Sequence, residues 1–319
     1  MHDRVVSSVI HGRPLLSGAA FLCISAIACW LPARAQPFAA PDHAAFRVDT
    51  RLILVPVTVT GTRGSNIEGL GPESFTVLDD RRPQPIVAFY SHDVPASIGI
   101  VVDVSGSTLD ILDREKAAIR AFLDYSNPQD DFFLATVSSK PQLLAERLNG
   151  SEEIGNLLLW QKANGATALC DTVHFALDKV KSRPLSRRAL LVVSDGMDNH
   201  SLYSKRELMR EIVEGGTQIY TVGLENPASG SKGLMWAESQ RGLALMDDLA
   251  EKSGGLSVRL GANRDPAAAV AKISAAIRSQ YVLGYRGPDP GGSGRWHSIQ
   301  VKVNLRNARV RARNGYNLP

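Results

Sequence analysis

Ile98-Gly-Ile-Val-Val-Asp103 is an apolar run closed by a carboxylate, with Ser105 and Ser107 directly after it. A run without apolar/polar alternation cannot lie with one face in water. It reads as a strand buried on both faces, inside a mostly parallel sheet. Leu109, Leu112, Ile119 and Phe122 then recur at helical spacing, so the hydroxyl-bearing segment joins a strand to a helix. In open α/β sheets ligands bind at the carboxyl ends of the strands, where Asp103, Ser105 and Ser107 fall. All three offer oxygen donors, the set preferred by hard divalent cations. Ser107 three residues before Asp110 is also a helix-capping spacing, with Asp103 then a solvated strand-end acid.

Two distant segments weigh against capping alone. Gly165-Ala-Thr167-Ala-Leu-Cys-Asp171 is a glycine-led loop that opens another helix with a hydroxyl at its tip. Ala189-Leu-Leu-Val-Val-Ser194-Asp195-Gly196 is a second buried strand ending in an acid. Asp103-x-Ser105-x-Ser107, then Thr167, then Asp195 in Ser-Asp-Gly, resembles the metal-ion-dependent adhesion site of von Willebrand factor type A domains over roughly residues 95–280. The resemblance implies that Asp103, Ser105 and Ser107 hold a divalent ion (Mg2+, or Ca2+ or Mn2+) directly or through water. It also implies that Thr167 joins when a partner is bound and that Asp195 acts mostly through water. Thr108 departs from bacterial relatives, which often carry methionine there, but it is not a ligand position.

The first 35 residues carry Arg4 and Arg13, an apolar run from Leu15 to Leu31, and Ala33-Arg-Ala35 before Gln36. This is the pattern of a secretory signal cleaved after Ala35. A retained membrane anchor is the weaker reading, because the uncharged run is short for a span. A second processing route, lipidation at Cys29 after Ala26-Ile-Ala28, lacks the leucine usual in that motif. The expected mature protein is periplasmic or extracellular with no integral span. It retains one cysteine, Cys170, on an apolar helix, which reads as a small buried residue. The whole chain has a formal charge of +4, and the segment 1–35 holds three arginines and one aspartate, leaving the rest at +2. That near-balance excludes a general nucleic-acid or anionic-membrane binder.

Residues 36–45 form a Pro- and Ala-rich linker. Short strands are expected at Leu52–Thr60, Glu73–Leu78 and Ile86–Tyr90, and again at Tyr281–Tyr285, Ser298–Leu305 and Val310–Asn314. We read these as a smaller β-sandwich built from 46–93 and 281–319. The α/β domain, 94–280, is inserted between them as a doubly wound, mostly parallel sheet. Its expected helices include 152–162, 168–181, 205–213, 243–252 and 267–277, with Gln142–Leu148 as an antiparallel edge strand. Glu225 to Arg241 reads as a polar, Gly-rich stretch carrying Trp236, placed on the metal-site rim if the family layout holds. The frame, with its Gln-Tyr-Val-Leu-Gly-Tyr and Arg-Ala-Arg-Asn-Gly-Tyr endings, also resembles a group of exported bacterial proteins carrying this domain.

A cation held by few anionic ligands stays electrophilic, so a partner protein's Asp or Glu can enter its open position. The favoured expectation is therefore an exported, non-enzymatic adhesion-type module with an acidic protein partner and no nucleic acid. One alternative is a metal-dependent phosphohydrolase with Asp103 as nucleophile, but Ser105 stands where that scheme needs its second acid. Another is a scaffold whose site is never filled. The chain has no Gly-x-Ser-x-Gly elbow, phosphate loop or dinucleotide fingerprint, and Ser229-Gly-Ser-Lys232 lacks the companions of a Ser-x-x-Lys enzyme. Its seven histidines show no metal-ligand spacing, and His200 reads as a solvent-facing loop residue. Arg306, Arg309, Arg311 and Arg313 read as a solvated face.

Overall fold

The computed structural model describes residues 52–317, apart from 63, 107–110, 160–164, 227–229, 231, 262 and 288–295. The expected signal segment, its cleavage site, the linker and Ser107 lie outside the described residues.

Four strands open the chain: β1 (Leu52–Thr60), β2 (Phe75–Asp79), β3 (Arg82–Gln84) and β4 (Ile86–Tyr90). Then come β5 (Ser97–Asp103), α1 (Leu112–Tyr125), β6 (Asp131–Val137), β7 (Gln142–Ala145), α2 (Ser151–Leu159) and α3 (Leu169–Lys181). The alternation continues with β8 (Arg188–Ser194), α4 (Lys205–Gly215), β9 (Gln218–Leu224), α5 (Leu234–Ser253), β10 (Ser257–Leu260) and α6 (Pro266–Arg278). Four strands close it: β11 (Tyr281–Arg286), β12 (Trp296–Val303), β13 (Arg309–Ala312) and β14 (Gly315–Asn317).

The central sheet has the order β10-β9-β8-β5-β6-β7 and is parallel except at β7, an antiparallel edge as its sequence suggested. All seven residues of β5 are buried, which accounts for the missing alternation. Ile98, Ile100 and Val102 pack under Ile119 and Phe122 of α1, Ile154 of α2 and Val270 and Ile273 of α6. Val101, Leu190 and Val192 face the other way, onto Val173 and Leu177 of α3, Leu208 of α4 and Met246 of α5. Helices on both faces force the sheet interior to be apolar throughout.

The remaining strands form two antiparallel four-stranded sheets, β13-β1-β11-β4 and β14-β12-β2-β3. Each combines strands from before and after the central sheet. They share one core, in which Val55 and Val57 of β1 and Leu283 of β11 meet Val77 of β2, Ile299 of β12 and Tyr316 of β14. Burial alternates along β12, as its sequence predicts.

Three readings change. The stretch from Glu225 to Arg241 is not wholly irregular, because α5 starts at Leu234, nine residues before the expected helix. Gly233, with φ +94, ends the preceding loop and makes that early start possible. Arg311 and Arg313 are half-buried: Arg313 donates to the Leu54 carbonyl at 2.9 Å and lies over the Tyr316 ring. Burial holds both guanidinium groups below their ordinary pKa. Finally, His297, for which the sequence shows no metal-ligand spacing, sits beside Asp79 and Asp80.

Candidate metal centre

Asp103 ends β5 and Ser194 ends the neighbouring parallel strand β8, so chain direction alone brings both to one edge of the central sheet. Each strand leads into the same kind of turn. The Asp103 Oδ1 accepts from the Ser105 N–H at 2.9 Å, and the Asp195 Oδ1 accepts from the Met197 N–H at 3.0 Å. Carboxylates that accept from the backbone two residues on hold their loops in a fixed turn. The Ser194 hydroxyl donates to the Asp103 Oδ2 at 2.7 Å and accepts from the Gly196 N–H at 2.8 Å, tying the first loop to the third.

Thr167 arrives from the loop before α3. The Gly106 N–H donates to the Gly165 carbonyl at 3.3 Å, joining the first loop to the second. The Thr167 N–H donates to the Asn199 Oδ1 at 2.9 Å, while the Asn199 and His200 N–H groups both reach the Thr167 carbonyl at 3.0 Å. The loops of Asp103, Thr167 and Asp195 are thus hydrogen-bonded in a closed triangle, and Asp103, Ser105, Thr167 and Asp195 are all buried. Asp198 and Asp171 anchor the third loop to α3, accepting from the N–H groups of Cys170, Ser201, Leu202 and Tyr203.

The third loop also touches α5 with no side chain between them. Gly196 has φ +78, and a Cβ there would meet the Gly242 carbonyl oxygen. A Cβ on Gly242 would lie 2.7 Å from the Asp195 carbonyl oxygen. Only glycine at both places permits this approach. A cavity of about 760 Å³ opens beside this contact, lined by Asp198, His200, Lys205, Glu238 and Arg241 among others. His200 is exposed, as expected. Leu202 in the third loop and Leu234, Met235 and Trp236 at the start of α5 are exposed apolar side chains.

Electrostatically the site is short of positive charge. Burial, and then the charge of Asp195, push the Asp103 carboxyl up to about 6. Glu115, on the first turn of α1, is fully buried and its carboxyl oxygens make no hydrogen bond among the described residues. Burial raises its pKa well above the usual carboxyl range, and the charges of Asp103 and Asp195 raise it further. Sequence reasoning missed Glu115, although it lies in register with Ala118, Ile119 and Phe122 on the buried face of α1. Buried carboxylates that repel one another, flanked by hydroxyls, are a donor set that a hard cation fits. Cys170 is buried, and burial raises its thiol pKa, so it stays a protonated thiol, as a small buried residue.

A sequence model described as the von Willebrand factor type A domain matches residues 98–197. Among curated proteins, none matches the chain in sequence. Among solved structures, the conserved hypothetical protein BatB from Bacteroides thetaiotaomicron is 16% identical, with 58% of this chain and 98% of that one covered at a TM-score of 0.45. A von Willebrand factor type A protein from Catenulispora acidiphila is 11% identical, with 83% and 73% covered and a TM-score of 0.46. The vWF domain of the type V pili tip protein Mfa5 from Porphyromonas gingivalis is 11% identical, with 59% and 96% covered and a TM-score of 0.45.

Proposed function

Because the chain carries a von Willebrand factor type A domain over residues 98–197, we propose that it is an exported binding module that grips a partner protein's carboxylate through a divalent ion. The ion, Mg2+ or else Ca2+ or Mn2+, is held by Asp103, Ser105, Ser107, Thr167 and Asp195. The observation that carries this reading is the closed triangle of loops that gathers buried Asp103, Ser105, Thr167 and Asp195 at one end of the sheet. When bound, the ion supplies an electrophilic position for a partner's Asp or Glu side chain. The chain's own residues do the rest. Ser194 and the Ser105 N–H orient the Asp103 carboxylate, and Asn199 fixes the Thr167 backbone. A charge-assisted contact of this kind contributes about 1.5–3 kcal/mol. The exposed Leu202, Leu234, Met235 and Trp236 supply apolar contact surface for the partner.

In this reading residues 94–280 are the binding domain, inserted into a β-frame made of 46–93 and 281–319. A signal segment, 1–35, is removed after Ala35, and the protein works in the periplasm or outside the cell. It is not an enzyme: Ser105 replaces the second acid that an aspartyl phosphohydrolase requires. No described helix is long and apolar enough to cross a membrane.

Isothermal titration with MgCl2, CaCl2 and MnCl2 tests the proposal. The wild-type protein is expected to bind one ion with micromolar to millimolar affinity, and Asp103→Ala to lose it. Metal-dependent turnover of a phosphate ester instead assigns the site to hydrolysis. Silence with Mg2+, Ca2+ and Mn2+ makes it an unfilled scaffold.

A further inference from the structure

Outside these loops, the β-frame gathers a different donor set. The β2–β3 turn is made by Asp80 and Arg81, both at positive φ (+46° and +66°), which folds Asp80 back beside Asp79. The neighbouring strand β12 pairs with β2, Ile299 opposite Asp79, and so carries His297 to the same end. Asp80 and Ser298 lock the two segments together. The Asp80 N–H donates to the Ser298 carbonyl at 2.9 Å, and the Ser298 N–H returns a bond to the Asp80 Oδ1 at 2.9 Å.

His297 is 93% buried, its exposure being 7%. Its Nδ1 lies 3.4 Å from the Asp79 Oδ1 and 3.1 Å from the Asp80 Oδ2, yet it hydrogen-bonds to neither. A nitrogen aimed between two carboxylate oxygens and aligned with neither is poorly explained as an ion pair. It is the arrangement left by a tetrahedral ion, whose bonds of about 2.0–2.1 Å put neighbouring donors about 3.3 Å apart. One ligand atom from each of the three residues falls within 4.8 Å of the others.

The surroundings match. Tyr285 and Tyr316 donate their hydroxyls to the Asp79 Oδ2 at 2.9 and 2.8 Å, leaving the Oδ1 toward His297. The Tyr316 ring stacks on His297 with centroids 5.3 Å apart and fixes the imidazole plane. Partners that orient a ligand's other atoms in this way are usual at metal sites. A cavity of about 520 Å³, lined by Arg81, Arg82, Gln84 and Trp296, gives access from solvent. The other such trio among the described residues, His174, Asp178 and Glu211, is already neutralised by Lys181, which is 2.9 Å from both acids.

We propose that Asp79, Asp80 and His297 form a second metal site, one that takes a borderline divalent transition ion of the zinc type with an open fourth position. An imidazole beside two carboxylates favours zinc over magnesium or calcium. The site is independent of Asp103, and the test separates the two. The full-length Asp103→Ala protein is titrated with ZnCl2 by calorimetry, then compared with the same protein also carrying Asp80→Asn or His297→Asn.

One zinc bound at micromolar affinity or better, weakened at least about 100-fold by either second change, is the expected result. Tyr316→Phe should weaken binding about tenfold. Asparagine tolerates the positive φ of residue 80, so Asp80→Asn decides the matter if His297→Asn does not fold. The assignment is overturned if the Asp103→Ala protein takes up no zinc. It is equally overturned if Asp80→Asn leaves zinc affinity within threefold of its parent.

Discussion

Glu115 occupies a position where the buried stripe of α1 asks for an apolar side chain, with Ala118, Ile119 and Phe122 on the same face. Its carboxyl, like that of Asp103, binds a proton more tightly in the folded protein than in the unfolded chain. The folded state therefore holds more protons, and stability falls as pH rises. For Asp103 the fall runs from near the ordinary value of 3.8 to about 6. Glu115 extends it upward. Glu115→Met removes that contribution and should raise the melting temperature at neutral pH by about 2–4 °C, on the order of 1 kcal/mol. Thermal melts from pH 5 to 8 should show a flatter pH dependence in the variant. An unchanged slope would show that Glu115 does not titrate with folding. Gly242 gives a second residue-scale prediction: Gly242→Ala drives a methyl into the Asp195 carbonyl oxygen. It should cost about 1–3 kcal/mol of stability in denaturant melts.

Among the elements, the three loops matter more than the helices they open. Asn199 holds the Thr167 backbone from both sides, so Asn199→Ala removes the side-chain bond to the Thr167 N–H, loosens one corner of the triangle, and leaves the two backbone bonds to the Thr167 carbonyl and the strands intact. Magnesium affinity should drop about 10- to 100-fold with the circular dichroism unchanged. Equal affinity in the variant would mean that Thr167 is held by other means. The Asp103, Ser194 and Asp195 positions were legible because both strands announce themselves as buried runs ending in acids. Asn199 was not, since an amide in a loop carries no pattern of its own. Elements of three residues escaped too: β3 and β14 are shorter than any periodicity can show. Asp79-Asp-Arg-Arg-Pro83 was legible as a turn, but not its conformation, because Asp80 and Arg81 adopt positive φ without the glycine that usually signals it. The trio of Asp79, Asp80 and His297 was invisible for a stronger reason, since strand pairing joins residues more than 200 apart.

At the scale of the molecule, the central sheet and the β-frame are coupled through polar contacts buried between them. Gln280, next to β11, donates to the Gln218 side-chain oxygen and to the Tyr220 hydroxyl of β9. The Thr58 hydroxyl of β1 reaches the Ala276 carbonyl of α6 at 3.5 Å. Gly254, capping α5 at φ +78, lies against the β13 backbone so closely that a Cβ would fall 2.5 Å from the Ala312 carbonyl carbon. Opening that interface trades each of these bonds for bonds to water, a net loss of about 0.5–1.5 kcal/mol per bond, and gives up the close backbone packing at Gly254 as well. Sheet and frame should therefore unfold in one transition, and a ligand on the sheet should stabilise the frame. At a magnesium concentration 100 times its Kd, mass action adds about 2.7 kcal/mol to global stability. Hydrogen exchange reads this directly: amides of β1 and β11 should slow on magnesium binding by the same factor as those of β5 and β8. If only β5 and β8 slow, the frame opens on its own and is not coupled to the ion.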